Sequence, residues 1–367
     1  ARLDLPKELE EGAGLLLFKA FSFLGSYPSC QSEGPVPLSL NAFLTAFVVL
    51  TGHLDQPDQV FAIYFTRTII LSLESLGIDF NDLEIKPTLE TGPEILCRDL
   101  IELVSLSLWL AGNHQLAENH QVAGATLINL DKSKEGTCLS HTVFQEWKSN
   151  LFPHFFKPIQ NFLVQTFSFM ERKPLELPSI PSDLLSRMDS TLLCWALGTD
   201  VKIWSRLYSA QKDGFSMNRF ESHVFKYPGP TLMLMRVETE DGQRMLIGAS
   251  VTQAWKCSRQ FWGTEDCVLF ELEPHFDIFR ATKKNERYIH YDHETGIGFG
   301  ARERAGDFII SLRNTLQEGI YENEAYPRSP TFRSSTQRTR DFKHVFETEN
   351  IEVFGLGFQM ETWIKKY

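Results

Sequence analysis

The 367-residue chain lacks several things whose absence narrows its class. It has no long uninterrupted apolar run. Arg67 breaks the stretch 60–73 and Glu102 breaks 100–111, so neither reaches the ~20 clean residues a spanning helix needs. The six cysteines (30, 97, 138, 194, 257 and 267) form no CxxC pair, which argues against a zinc ribbon or redox motif and for buried, reduced thiols. No N-x-[ST] acceptor occurs, in keeping with a cytosolic setting. Excess positive charge is also missing: the formal net charge is −11. Phosphate binding needs clustered Lys and Arg, so nucleic acid is not the expected main partner. A P-loop, a nucleophile elbow and paired catalytic carboxylates are all absent. Ser216 in Asp-Gly-Phe-Ser has no base near it in sequence.

What is present is apolar and aromatic. Hydrophobic residues make up 43% of the chain, and its 29 phenylalanines outnumber the 23 glycines, a content that requires a packed interior and excludes disorder. The acid is unevenly placed. Residues 1–200 hold 13 Lys+Arg against 24 Asp+Glu, whereas residues 201–367 hold 23 of each. The two halves therefore have different electrostatic character.

The hydrophobic period changes with the charge. Helical spacing runs from Leu40 to Leu50 behind a Ser39 cap, from Val60 to Leu76, from Leu100 to Leu110 with a stop at Gly112, and from Phe155 to Met170. Three prolines between Pro174 and Pro181 mark a linker, and Leu184–Leu197 reads as a bridging helix. Beyond residue 200 come short β-rich runs: Thr231–Val237, Met245–Ser250, Val268–Leu272, Phe276–Phe279, Tyr288–Tyr291, Asp307–Leu316 and Ile351–Phe354. Asp241-Gly242 supplies a hairpin turn. The expected organisation is α+β: a helical domain over 1–173, a linker and bridging helix over 174–199, and a two-layer β-sandwich with flanking helices over 200–367.

In the first half, Asp79, Asn81, Asp82 and Glu84 are spaced like a calcium loop without its central glycine or closing glutamate. Ser140–Trp147 reads as an exiting helix with Phe144 and Trp147 inward. Together they suggest a degenerate EF-hand-like scaffold. His114, Glu118 and His120 read as a polar loop. In the second half, His290 and Asp292 share a strand face beside His293. Gly296-Ile-Gly298-Phe-Gly300 has no βαβ context and reads as a close backbone crossing. Two basic clusters offer partner contacts: Arg280, Lys283, Lys284 and Arg287, and Arg328, Arg333, Arg338 and Arg340 with Lys343. No metal or cofactor is expected.

An ordered series of motifs resembles the TLDc domain family. It opens with Leu207-Tyr-Ser209 and Asp213-Gly214-Phe215-Ser216, followed by Gly229-Pro-Thr-Leu232 and Ile247-Gly-Ala-Ser250. Trp255-Lys256, Phe261-Trp-Gly263-Thr264, Asp266 and Val268-Leu-Phe270 come next. Gly298-Phe-Gly300, Thr331-Phe332 and Ile351-Glu352-Val-Phe354 complete the series. The chain departs from the family pattern at Asp266, where glutamate is usual, at Phe354, where tryptophan is usual, and in Asp307–Leu312, which lacks a tryptophan. A helical, EF-hand-like region ahead of a TLDc domain is similar to fungal members of the family and their animal lysosomal relatives. The resemblance implies a regulator rather than an enzyme, bound to the V1 sector of the vacuolar proton-pumping ATPase. It also implies a cytoplasmic protein held peripherally at the vacuolar or lysosomal membrane, through an N-terminal glycine lipid signal in such members. Two alternatives stand beside it. One is an oxidation-resistance protein with a redox-active thiol, for which Cys257 between Lys256 and Arg259 is the candidate. The other is a calcium-responsive adaptor.

Overall fold

The structure, a computed structural model, describes residues 5–24, 39–51, 95–128, 138–139, 141–167, 181–302, 306–324, 329–336 and 341–357. The chain divides into two compact units, 1–149 with 154–177, and 150–153 with 178–367.

The first unit is helical. Helix α1 (Leu15–Leu24) follows a π-helical turn over Glu10–Gly14, and α2 (Leu40–Leu50) starts where the Ser39 hydroxyl accepts the amide of Ala42 at 3.2 Å. Helix α3 (Cys97–Leu110) buries Leu100, Leu103, Val104, Leu106, Leu108 and Leu110, too many for one stripe. It is therefore enclosed by its neighbours rather than laid on a surface. Gly112, at φ 96°, ends it, and the turn is closed by Asn119 Nδ2 donating to the Asn113 carbonyl at 2.6 Å.

The stretch read as a polar loop is instead mostly helical, as α4 (Leu116–Ile128). His120 lies 3.2 Å from Glu102 of α3, so a side chain read as part of a loop joins two helices. In α5 (His141–Asn150) Phe144 and Trp147 are buried, as their spacing requires, and Trp147 Nε1 donates to the Thr126 carbonyl. Helix α6 (Lys157–Phe167) tolerates Pro158 because it occupies the first turn, where no amide donor is needed. A two-residue antiparallel bridge pairs Ile95–Leu96 with Cys138–Leu139. The acidic segment 79–84, on which the EF-hand-like reading rested, lies outside the described residues. So do the helix expected over Val60–Leu76 and most of the proline linker.

The second unit is built on one antiparallel sheet. Its strands are β1 (Ser205–Ser209), β2 (Thr231–Thr239), β3 (Arg244–Val251), β4 (Ser258–Trp262), β5 (Val268–Glu273), β6 (Asp277–Ala281), β7 (Ile289–Asp292), β8 (Gly296–Ala301), β9 (Phe308–Leu312), β10 (Glu318–Asn323), β11 (Phe332–Ser334) and β12 (Phe342–Gly355). Among the described residues the order is β11-β6-β5-β3-β2-β12-β10-β9-β8-β7-β4, with β1 pairing the end of β12. The expected α+β class fits, and the strands form a single continuous sheet that curls until its ends approach. Phe332 of β11 packs edge-on against Tyr288, ring centres 5.8 Å apart, beside β7. The Thr331 hydroxyl donates to the Ala301 carbonyl of β8 at 2.7 Å. Inside the curl, Tyr321 of β10 donates to Glu271 of β5 at 2.7 Å.

Side-chain alternation on the central strands separates two buried faces. Met233, Met235 and Val237 point into the aromatic core of the curl, while Leu232 and Leu234 face the other way and are equally buried. On that outer side, Arg236 donates to the carbonyl of Leu184 and Arg280 to that of Ala196, residues flanking and ending helix α7 (Arg187–Leu197). The helix read as a bridge therefore lies across the sheet as part of this unit. It opens on a capping box, Ser186 and Asp189 each bonding the other's backbone amide, and ends at Gly198 with φ 71°. Helix α8 (Met217–Val224) sends Met217, Phe220 and Val224 into the core.

Candidate partner-binding surface

The motif residues are distributed by this fold into structural tasks. Glu352 is fully buried on β12. Its carboxylate accepts the Ser182 hydroxyl at 2.5 Å and the Asp183 amide at 3.2 Å, and pairs with Arg206 of β1 at 3.1 Å. Arg206 also reaches Asp183 at 2.8 Å and the Pro181 carbonyl, and lies over the Phe354 ring at 5.7 Å. The Arg206 guanidinium holds the Asp183 carboxyl below its ordinary pKa. This network fastens segment 181–186, ahead of α7, to the edge of the sheet.

The Asp213-Gly214-Phe215-Ser216 motif makes the turn into α8. Asp213 accepts the Ser209 amide at 2.9 Å, and Gly214 supplies φ 83°, a conformation side chains oppose. The buried Tyr208 hydroxyl donates to the Gly214 carbonyl at 2.7 Å, and burial pushes its pKa up to about 12. Ser216 stands at the start of α8. Trp255 is buried, donates to the Thr231 hydroxyl at 2.8 Å, and meets Phe220, Trp262 and Phe299 edge-on. Gly298 lies under the Phe308 ring, which a Cβ would meet, and Gly263 holds φ 106° against Tyr288. Thr331 and Phe332 close the curl. Asp266 is exposed, as are Lys256 and Phe261 of the motif series, and its amide is bonded to Thr264.

The structure separates the cations grouped by sequence. Arg280 is removed from the candidate contact set: its guanidinium donates to the carbonyls of Asn150, Leu151 and Ala196, and burial lowers its pKa. Three internal carbonyls occupy the fork that a partner carboxylate would need. Lys283, at φ 61°, pairs with Glu265 at 3.0 Å, and Arg287 donates to the Arg302 carbonyl at 2.8 Å. Lys284 and Arg333 are exposed and pair with no acid among the described residues. Lys343 pairs with Glu322 at 3.3 Å. Arg328, Arg338 and Arg340 lie outside the described residues. A small basic surface thus remains at the β6–β7 loop and the adjoining β11.

Of the cysteines whose side chains are described, Cys267 is buried, Cys97 and Cys194 are partly buried, and Cys257 is exposed. His290 and Asp292 do share a strand face, 3.6 Å apart. Sequence reasoning missed a different grouping, in which Glu221, Cys257 and His293 from three separate segments place their ligand atoms within 4.8 Å of one another. No local spacing could have signalled it. No described helix is long and apolar enough to cross a membrane.

The TLDc domain family model matches residues 179–357. Among curated proteins, the chain is similar to restriction of telomere capping protein 5 of Neurospora crassa, 27% identical over 282 residues, covering 63% of this chain and 43% of that protein. The protein of the same name from Fusarium vanettenii is 30% identical over 198 residues, 42% of this chain and 33% of the relative. The mTOR-associated protein MEAK7 of Xenopus laevis is 26% identical over 159 residues, 42% and 32% respectively. The chain therefore spans under half the length of these relatives. Its matched region begins just before the segment fastened by Glu352 and ends just past β12, so the curled sheet with α7 and α8 is the unit that the family model describes: residues 179–357 of this chain form a TLDc domain.

Proposed function

We propose that this chain is a non-enzymatic regulator that binds the V1 sector of the vacuolar proton-pumping ATPase and modulates its assembly or activity at the cytosolic face of vacuole or lysosome. The observation that carries the reading is the division of labour within the TLDc domain. The family's motif residues, Asp213 through Glu352, build the turn, the curl and the α7 lock. Recognition is thereby left to surface loops, and the exposed cations Lys284 and Arg333, without an acidic partner among the described residues, offer one such surface. The relatives' printed names concern telomere capping and association with mTOR rather than a reaction, which favours a regulator over an enzyme. The acidic helical half supplies a second surface of opposite character.

The test is binding of the full chain to purified V1 across a salt series. Steering by exposed charge weakens as the Debye length falls from about 10 Å at 0.1 M salt to about 3 Å at 1 M. Affinity is expected to fall with salt, and the pair Lys284→Glu and Arg333→Glu to weaken binding at low salt but not at high salt. No retention of V1 at low salt refutes the proposal. Binding that is unchanged by charge reversal refutes the assignment of this surface while leaving V1 as the partner.

A further inference from the structure

Three side chains that no motif links converge at one rim of the TLDc domain. Glu221 is on α8, Cys257 immediately precedes β4, and His293 lies in the turn between β7 and β8. Their ligand atoms lie within 4.8 Å of one another, and His293 Nε2 is 3.6 Å from Glu221 Oε1. A tetrahedral ion with bonds of ~2.0–2.3 Å holds its ligand atoms about 3.3–3.8 Å apart. One pair therefore already stands at the required separation, and the thiol needs a shift of ~1 Å.

Each ligand is carried on backbone fixed for its own reason. Cys257 lies between the buried anchor Trp255 and Ser258, whose Cα pairs with Tyr291 in the ladder. His293 follows Asp292, whose Oδ1 accepts the amides of Glu294 and Thr295 at 2.9 and 2.7 Å and the Thr295 hydroxyl at 2.9 Å. Glu221 is oriented by the buried Tyr291 hydroxyl, which donates to Oε1 at 2.6 Å. A hydrogen bond of that kind to a ligating carboxylate is a recurrent outer support of metal sites. Cys257 and His293 are exposed, so an ion reaches them from solvent.

We propose that Glu221, Cys257 and His293 form a binding site for one Zn²⁺ ion, with a fourth position open to water or to a partner's side chain. The donor set decides the metal. Thiolate and imidazole select zinc over magnesium or calcium, and the two anionic ligands neutralise a divalent charge at a surface where no lysine or arginine is needed. The ion would tie α8, a helix outside the sheet ladder, to the β4 edge and the β7–β8 turn, which that ladder already pairs. The site stands independently of the V1 reading.

The test uses the full chain, reduced and stripped with chelator, titrated first with Zn²⁺ against a chromophoric competitor and then with Co²⁺. One equivalent of Zn²⁺ is expected, with a rise in the unfolding temperature. Co²⁺ should give a sulfur-to-cobalt charge-transfer band together with the intense visible bands of a four-coordinate ion. Cys257→Ser should abolish the charge-transfer band, and His293→Ala and Glu221→Gln should each weaken Zn²⁺ binding. Tyr291→Phe should weaken it by about 10–100-fold, the usual effect of losing an outer support. Far-ultraviolet circular dichroism establishes that each variant is folded. A charge-transfer band that survives Cys257→Ser assigns the metal to another thiol and overturns the proposal. So does a folded His293→Ala variant with undiminished affinity, or a wild-type chain that gives no such band.

Discussion

Replacing Glu352 by alanine tests whether the TLDc domain is locked through a buried charge. The carboxylate is wholly enclosed and holds three donors, the Ser182 hydroxyl, the Asp183 amide and the Arg206 guanidinium. Breaking a buried ion pair by removing one partner costs about 3–5 kcal/mol, because the other charge is left in a poor solvent. Arg206 keeps two partners in the variant, Asp183 and the Pro181 carbonyl, which places the loss near the lower end, about 3 kcal/mol. For a unit of this size each kcal/mol lowers the melting temperature by roughly 2–4 °C, so a drop of about 6–12 °C is expected. Urea denaturation supplies the free energy, and hydrogen exchange locates it. The amides of Leu184 and Leu185, which donate to the Ser182 hydroxyl, should lose protection before those of β2. Glu352→Gln keeps the shape and an acceptor while removing the charge, and should fall between wild type and alanine. A Glu352→Ala variant within about 0.5 kcal/mol of wild type, the range of an ordinary surface substitution, would refute the reasoning.

Two further outcomes follow from the same interior. Gly298→Ala places a methyl group against the Phe308 ring and should cost about 1–3 kcal/mol by overpacking; a thermal melt matching wild type would contradict the close approach. The Tyr208 phenol, pushed up to about 12 by burial, keeps its proton in the folded state while the unfolded chain releases it near pH 10. Its contribution is thus fully present below pH ~10 and is lost as pH rises from there toward 12. Tyr208→Phe should flatten the alkaline limb of the stability curve, and an unchanged slope between pH 10 and 12 would refute the assignment.

Legibility in the sequence divided along physical lines. Elements whose burial has a local period could be read: the helix ending at Leu110, the inward Phe144 and Trp147, and the strands around Met233, Ile247 and Leu269 all stand where apolar spacing and turn residues place them. Strands with little apolar signal did not declare themselves. Glu318–Asn323 is half polar, and Gly296–Ala301 contains three glycines, because Gly298 and Gly300 lie under Phe308 and Phe332 while Ile297 and Phe299 carry its apolar face. Charge was the least legible property. Arg280 and Lys283 are three positions apart in one basic run, yet one fills an internal cage of carbonyls and the other pairs with Glu265. Composition counts charges, whereas availability depends on which neighbours the topology supplies.

The same distinction bears on what the TLDc motif signifies in this chain. Residues spaced from 213 to 352 act together here because a sheet that closes on itself must satisfy several distant requirements at once. A left-handed turn must precede α8, space must be left beneath Phe308, Thr331 must cap the Ala301 carbonyl, and an acid at 352 must hold the strap before α7. Lys284, Cys257 and His293 take no part in those four contacts. A partner contact made through such side chains would leave those four contacts undisturbed. Phe354 belongs to the same lock, since its ring lies under Arg206 and beside Trp204.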